Sequence, residues 1–491
     1  MSRFSALHAL WAIIAVGVAL RLYRLSEPLL DAHFFRQTQT ASQVWMWDRF
    51  GFSPLDYRVP GFGGGHWVLE FPWYQWLVYP FTIVFGFHEE IGRLISIAAF
   101  VASAYLLYAI GWRVLGSRGA AVGAVGFLAF MPVTVFYYRA FMIDPLLLTA
   151  ALLMLLAALK VAESFSWTWT GVLIAMVFVT ALGKANLLIV FGLPIIVILG
   201  RAVRARTLPR LAIAAIVAGA CVAAVALLIW MRYADGLNEP SSGQTFANMR
   251  WWYFGSTLFD VNLWLTVGER MIAMLTPVGV VLVGIGTGIA MTLKGGRRGI
   301  ILALIASNVA SIAIFANLNR VHDYYQLPYF TTLSLLGGLG LWTLARGIDK
   351  VRTRSIGVAG GTLVGLTALW MATLFGAGGY FAEDAVQKGF QGQGAELAAR
   401  TPDRQVLALM AGNPDPNEPT MLYMARRTGW RIPLVDRAQA EGIAQKATDL
   451  GSIVVYKDPT GGIPVPEWVE PLAKKEGFAL SYDSSGLAVY R

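Results

Sequence analysis

Residues 166–200 read SWTWTGVLIAMVFVTALGKANLLIVFGLPIIVILG and contain a single ionisable side chain, Lys184. A bilayer core of about 30 Å is crossed by roughly 20 apolar residues in helical form. The stretch is therefore long enough for two spans, 166–183 and 185–200, with Lys184 at their join. A lysine placed there reads in two ways: its stem snorkels so that the ammonium reaches the interface, or it holds an anionic headgroup.

Apolar runs recur on both sides, at 6–24, 91–113, 119–138, 144–160, 211–231, 271–292, 299–316, 328–345 and 355–377, which makes about 11 spans in all. Composition agrees: 56% of the 491 residues are hydrophobic and 14% are charged, where a soluble domain carries about 25% charged residues. The first run follows Arg3 as a secretion signal would, but no small-residue cleavage site precedes Arg21 and Arg24, so it reads as a retained span. The single cysteine, Cys221, lies inside an apolar run and rules out an internal disulfide or a multi-cysteine metal site.

The chain has a formal charge of +10, and the position of the basic residues decides what that charge is for. With the N-terminus inside, five connections face the cytoplasm: Arg113 to Arg118, Lys160 to Glu163, Arg201 to Arg210, Lys294 to Arg298 and Arg346 to Arg354. Together with Arg3 they hold 15 Lys or Arg residues and two acids, Glu163 and Asp349. This is the positive-inside pattern of a multi-pass membrane protein, so the charge calls for no nucleic-acid partner.

Three segments are long on the other, outer face: 25–90, 232–270 and the tail. The first is rich in Trp and Tyr, which predicts juxtamembrane helices lying at headgroup level. The tail, 380–491, carries 12 basic and 14 acidic residues and no run long enough to span. Short β-type runs at 405–410, 452–456 and 487–490 alternate with helical stretches at 418–427, 436–448 and 466–475, which predicts a small α/β domain. The expected division is a transmembrane part over 1–379 and a soluble outer domain over 380–491.

Several polar residues stand out against this background. Asp31-Ala-His33-Phe-Phe-Arg36-Gln37-Thr-Gln-Thr40 opens the first outer loop. If Asp31 caps a helix, then His33, Arg36, Gln37 and Thr40 share one face of it; the plain alternative is that Asp31 is only a cap. Glu70 sits in the apolar stretch LEFPWY and calls for a cationic partner, unless it is a surface glutamate among membrane-anchoring aromatics. In YYRAFMIDP, Asp144 before Pro145 makes a good helix start, so capping accounts for the aspartate but not for Arg139. The segment NRVHDYYQ brings His322, Asp323, Tyr324 and Tyr325 into a short outer loop. Gly61-Phe-Gly63-Gly64-Gly65 lacks the flanking pattern of a phosphate loop and reads as a hinge. These four polar segments and the one at Lys184 all fall on the outer face under the topology derived from loop charge.

At these residues the chain resembles the GT-C type membrane glycosyltransferases that use polyprenyl-phosphate-linked sugars, a superfamily that includes the protein O-mannosyltransferases and the aminoarabinose transferase of lipid A. DAHFFRQTQTA, EFPWYQWL, FYYRAFMIDPLLL and HDYYQLPYF, in that order, carry the resemblance, which covers about residues 1–380. It implies a GT-C-like helical fold, with Asp31 in the place of the catalytic aspartate of the first outer loop and Glu70 and Asp144 in the places of further acids near the donor. Protein mannosyltransferases have two adjacent acids where this chain has Asp31-Ala32, and the aminoarabinose transferases have Lys where it has Phe71.

Transfer from such a donor needs a base for the acceptor's proton, cations for the departing phosphate and an apolar groove for the prenyl chain. Asp31 is the expected base, acting with inversion at the sugar. Arg36, Arg139 and Lys184 are the expected phosphate ligands, with His33, Glu70, His322 and Tyr325 orienting the sugar or the cations. A divalent metal on Asp31, His33 or Glu70 suits the ligand chemistry, although no HExxH or CxxC motif is present. The expectation is a monomer of a bacterial cytoplasmic membrane, with its C-terminal domain periplasmic, that takes a lipid, glycan or protein acceptor. Two other classes use the same features: an oligosaccharide ligase or polymerase with a lipid-linked donor, and a lipid or sugar transporter. The cytoplasmic halves of the spans are nearly free of ionisable groups, which weighs against transport.

Overall fold

The computed structural model describes residues 3–55, 57–238, 255–348, 379–383, 385–412, 414–415, 418–457, 464–484 and 486–491. Helix α1 (Arg3–Arg21) is followed by two helices of the first long loop, α2 (Phe34–Phe50) and α3 (Trp73–Phe85). The bundle continues with α4 (Glu89–Leu115), α5 (Arg118–Phe130), α6 (Pro132–Tyr137), α7 (Asp144–Glu163), α8 (Trp167–Lys184), α9 (Asn186–Arg204) and α10 (Arg210–Leu237). After α11 (Val261–Met291) and α12 (Gly296–Ile314), a single turn, α13 (Ala316–Val321), leads to α14 (Phe330–Ile348). Among the described residues seven helices are long and apolar enough to cross a membrane, namely α4, α7, α8, α9, α10, α11 and α12, while the apolar parts of α1 and α5 are shorter. The tenth expected span corresponds to α14, and the eleventh, 355–377, lies outside the described residues.

The run 119–138 is not one helix. Pro132 has no N–H to offer Leu128, and Met131 takes an extended conformation between α5 and α6. Arg21 fills the gap: its guanidinium donates to the carbonyls of Leu128 (3.3 Å), Ala129 (3.1 Å) and Thr134 (3.0 Å) and lies 3.6 Å from the Phe100 ring centroid. The terminal nitrogens of a fully buried arginine are thus taken up by carbonyls around a proline break, while its Nε has no hydrogen-bond partner among the described residues. The span expected at 271–292 likewise begins earlier, at Val261, and breaks at Thr276 (φ 59°) ahead of Pro277.

Apolar helices in lipid gain little from hydrophobicity when they pair, so close van der Waals approach decides the interfaces. Helix α14 packs on α5 and α11 through glycines. A Cβ on Gly286 would stand 1.8 Å from the Leu336 carbonyl oxygen, and one on Gly338 2.1 Å from the Ala124 nitrogen. Both neighbours are backbone and have no rotamer to change. Gly286→Ala is therefore expected to destabilise the bundle by about 1–3 kcal/mol, as overpacking does, read as a lower unfolding temperature in detergent.

Residues from Ala385 onward fold around a five-stranded sheet in the order β2-β1-β3-β5-β4. Strands β1 (Gln405–Met410), β2 (Gly429–Pro433) and β3 (Leu450–Tyr456) are parallel, and β4 (Leu480–Asp483) and β5 (Leu487–Tyr490) complete an antiparallel edge. Helices α15 (Ala385–Arg400), α16 (Thr420–Ala425), α17 (Arg437–Lys446) and α18 (Val469–Lys475) cover it. The three expected strands and three expected helices are present; α15, β2 and β4 are additions.

The glycine run 61–65 is a dock rather than a hinge. Gly63 N–H donates to the Gly429 carbonyl (2.8 Å), Gly429 N–H to Pro60 (2.9 Å), and the Gln405 amide to Gly63 (2.8 Å). Gly63 has φ 72°, and a Cβ there would lie 2.2 Å from the Trp430 ring. Helix α2, expected at headgroup level, is instead covered from Gln37 to Trp47. The exposed apolar residues Leu77, Phe81, Val84 and Phe85 put the interfacial character on α3.

Candidate active site

Asp31 does not cap α2. The helix starts at Phe34, and the residue before it, His33, has a left-handed backbone (φ 55°) with no side-chain cap. The Asp31 carboxylate turns into the protein, where it accepts from the Gln37 amide (2.6 Å) and the Arg139 guanidinium (3.0 Å), with Arg93 at 3.8 Å. Gln37 also accepts from Phe141 N–H (3.1 Å), and Arg139 donates to the Arg24 carbonyl (2.8 Å). Arg93 donates to the carbonyls of Leu25 (2.6 Å) and Pro28 (3.3 Å). Two buried arginines and one aspartate thereby fix the path of residues 24–31 over the bundle.

Glu70 has the cationic partner that its setting requires: Arg36 lies 2.5 Å away. The Glu70 segment is pinned at its backbone by Tyr57, whose hydroxyl donates to the Glu70 carbonyl, and by Trp230, whose indole donates to Leu69. Burial pushes the Glu70 carboxyl up, but the charge and hydrogen bond of Arg36 and the charge of Lys184 outweigh it, and its pKa ends below the ordinary value.

Asp144 is the first residue of α7 and makes no capping bond. Its Oδ1 accepts from the Lys184 ammonium, at the point where only Ala185 separates α8 from α9. Its Oδ2 is buried with no hydrogen-bond partner among the described residues. The same ammonium lies 4.9 Å from the Tyr324 ring centroid and 4.7 Å from that of Tyr325. Lys184 does not snorkel; it is 7% exposed and faces inward.

His322 stacks on Tyr324 (4.9 Å between centroids, 21° between planes). Burial, with the charges of His33, Arg36 and Lys184, pushes the His322 imidazole down to about 4, so it is neutral near pH 7. Its neighbour Asp323, absent from the expected site, is the more connected of the two. Asp323 lies 2.6 Å from His33 Nε2 and accepts from the hydroxyls of Tyr137 (2.6 Å) and Tyr380 (3.2 Å). Burial raises its carboxyl, yet the hydrogen bond and charge of His33 and the Tyr137 hydroxyl bring it down to about 2. The sequence signal was an acid beside a histidine in a short loop; its actual partner lies 290 positions upstream.

These contacts enclose a cavity of about 640 Å³. Its lining combines His33, Arg36, Glu70, Lys184, Asn186, His322, Tyr324 and Tyr325 with the apolar residues Phe35, Trp67, Leu227, Trp230, Met231, Phe315 and Leu318. Six of the expected site residues are therefore in its wall. Asp144 lines a water-sized pocket next to it, shared with Lys184 and Tyr324. Asp31 and Arg139 are not in the lining; they belong to the buried cluster behind it. The three residues expected as metal ligands do not converge, since Asp31 faces Arg139, His33 faces Asp323 and Glu70 faces Arg36. No group of three or more metal-ligating side chains is present among the described residues.

A family profile described as "Dolichyl-phosphate-mannose-protein mannosyltransferase" matches residues 70–230, from Glu70 to Trp230. In structure the chain is similar to ArnT from Cupriavidus metallidurans bound to undecaprenyl phosphate, with TM-score 0.63 and 13% identity over 98% of this chain and 97% of that one. Apo ArnT gives TM-score 0.62 at 13% identity over 99% and 98%. The archaeal oligosaccharyltransferase AglB from Archaeoglobus fulgidus, in complex with an inhibitory peptide and a dolichol-phosphate, gives 0.53 at 10% identity over 93% and 70%. No curated protein matches in sequence. The fold is that of the GT-C type membrane glycosyltransferases.

Proposed function

We propose that this protein transfers a sugar from a polyprenyl-phosphate carrier to an acceptor, with inversion, on the periplasmic face of a bacterial cytoplasmic membrane. One observation carries the reading: the cavity lining combines two cations, Arg36 and Lys184, with apolar residues of α10 and α13. A phosphate on a prenyl chain has the matching chemistry, an anion that takes charged donors and a tail that needs an apolar groove. Each cation is held by one carboxylate, Glu70 or Asp144. An incoming phosphate competes for both cations, and their carboxylates are then released toward the hydroxyls of the sugar.

Asp31 is the proposed base. Gln37 and Arg139 hold its carboxylate in one orientation, two residues from His33 in the cavity wall. The acceptor's O–H proton passes to the carboxylate as the acceptor oxygen bonds the anomeric carbon, and the phosphate departs with the electron pair of the broken C–O bond. Arg36 and Lys184 receive the charge that develops on it. A second reading gives the base to Glu70, because Glu70 lines the cavity and Asp31 does not.

The test is turnover by the purified full-length protein in nanodiscs, with an undecaprenyl-phosphate-linked sugar and an extract of envelope acceptors. Free undecaprenyl phosphate and an acceptor heavier by one sugar are expected. A whole oligosaccharide on the product assigns a ligase or polymerase instead, and uptake into vesicles without any covalent product assigns a transporter.

A further inference from the structure

His33 is out of keeping with its backbone. A non-glycine residue at φ 55° carries a steric cost, and the helix that follows gains no cap from its side chain. The conformation does achieve one thing: the imidazole lies between the rings of Tyr137 (5.7 Å) and Tyr324 (5.3 Å), in the cavity wall, with Nε2 on Asp323. Asp323 is itself fixed by two phenols from separate segments, Tyr137 of α6 and Tyr380 ahead of the C-terminal sheet. Strain held in place by a built hydrogen-bond network is the pattern of a functional group.

We propose that Asp323 is a positioning residue for the donor phosphate, holding His33 so that its other ring nitrogen donates a proton-bearing N–H to a phosphate oxygen beside Arg36. This rests on the reading of the cavity as a lipid-phosphate site. An imidazole that donates from both nitrogens is an imidazolium, and the Asp323 carboxylate is its counter-charge in contact. The other charges in the same cavity wall are Arg36 in the first turn of α2 and Lys184 at the end of α8, paired with Glu70 and Asp144, and Arg270 of α11 acts on Asp323. His322 is neutral and Asp323 ionised across the range from about pH 5 to 8 in which imidazoles switch.

The discriminating measurement is the affinity of the full-length protein in detergent for undecaprenyl phosphate, as a function of pH, for wild type, Asp323→Asn and His33→Asn. Asparagine tolerates the left-handed backbone at position 33 better than other non-glycine residues, so the fold is preserved. The ratio of Asp323→Asn to wild-type dissociation constants is expected to be about tenfold near pH 7.5 and to shrink toward one near pH 5, where imidazoles are protonated without a counter-charge. His33→Asn is expected to bind weakly at every pH. The ionisation of the phosphate itself is common to all three proteins and cancels in the ratio. An Asp323→Asn defect of equal size at both pH values would make Asp323 merely structural and overturn the inference, as would wild-type affinity in that variant. A wild type that binds no undecaprenyl phosphate would overturn the lipid-phosphate reading beneath it.

Discussion

Asp31→Asn is expected to lower sugar transfer by about 10²–10⁴-fold, the range typical of a lost general base, while the dissociation constant for undecaprenyl phosphate stays near that of wild type. Asparagine keeps the size of the side chain and one oxygen for Arg139. It removes the charge facing two buried guanidiniums, but both keep backbone carbonyls as partners, so the folded state persists with reduced stability. Glu70→Gln is expected to retain measurable transfer. The reverse order, with Glu70→Gln dead and Asp31→Asn active, would move the base to the carboxylate that lines the cavity. Single-turnover kinetics beside a thermal unfolding curve separates lost chemistry from lost fold.

Loss of the cation at Lys184 is expected to weaken donor binding by roughly 10–150-fold, from about 1.5–3 kcal/mol for a charge-assisted hydrogen bond. Lys184→Met alone is ambiguous, because it leaves the Asp144 carboxylate buried without a counter-charge, which costs about 3–5 kcal/mol. The double variant Lys184→Met/Asp144→Asn removes both charges. Its stability is expected to recover while donor affinity stays low. If affinity recovers together with stability, Lys184 serves the fold and not the phosphate. Equilibrium binding of undecaprenyl phosphate, beside the unfolding temperature of each variant, distinguishes these outcomes.

Much of the fold was legible because lipid imposes a single demand, a long run of apolar residues, and 144–160, 166–183 and 185–200 meet it plainly. The breaks were less so. Pro132 lies inside an uninterrupted apolar run, and only the distant Arg21, which takes up the freed carbonyls, shows that the chain divides there. In the tail, Val406, Leu407 and Ala408 announce β1, whereas β2 contains Gly429, Arg431 and Pro433 and is a strand because β1 pairs with it. Helix α15 (QKGFQGQGAELAAR from Gln387) has the glycines of a loop and is helical against α16 and the sheet.

At the site, residue types were readable and partnerships were not. Asp31 precedes a helix and Asp144 begins one, where local rules assign a capping role. Each is taken instead by a cation from another segment, Arg139 or Lys184. Local propensity is worth about 1 kcal/mol at a cap, and a buried guanidinium or ammonium without a counter-charge is costlier than that. The same reason hides Asp323, which sequence pairs with the adjacent His322 and the fold pairs with His33.

The central claim is that the cavity between Arg36 and Lys184 receives a polyprenyl phosphate. A cryo-electron microscopy structure of the full chain in nanodiscs with undecaprenyl phosphate tests it most directly. The account predicts the phosphate within hydrogen-bonding distance of Arg36 and Lys184, with the prenyl chain along Leu227, Trp230 and Met231. Lipid phosphate bound elsewhere on the bundle, with the Arg36–Glu70 and Lys184–Asp144 pairs intact around an empty cavity, would contradict it.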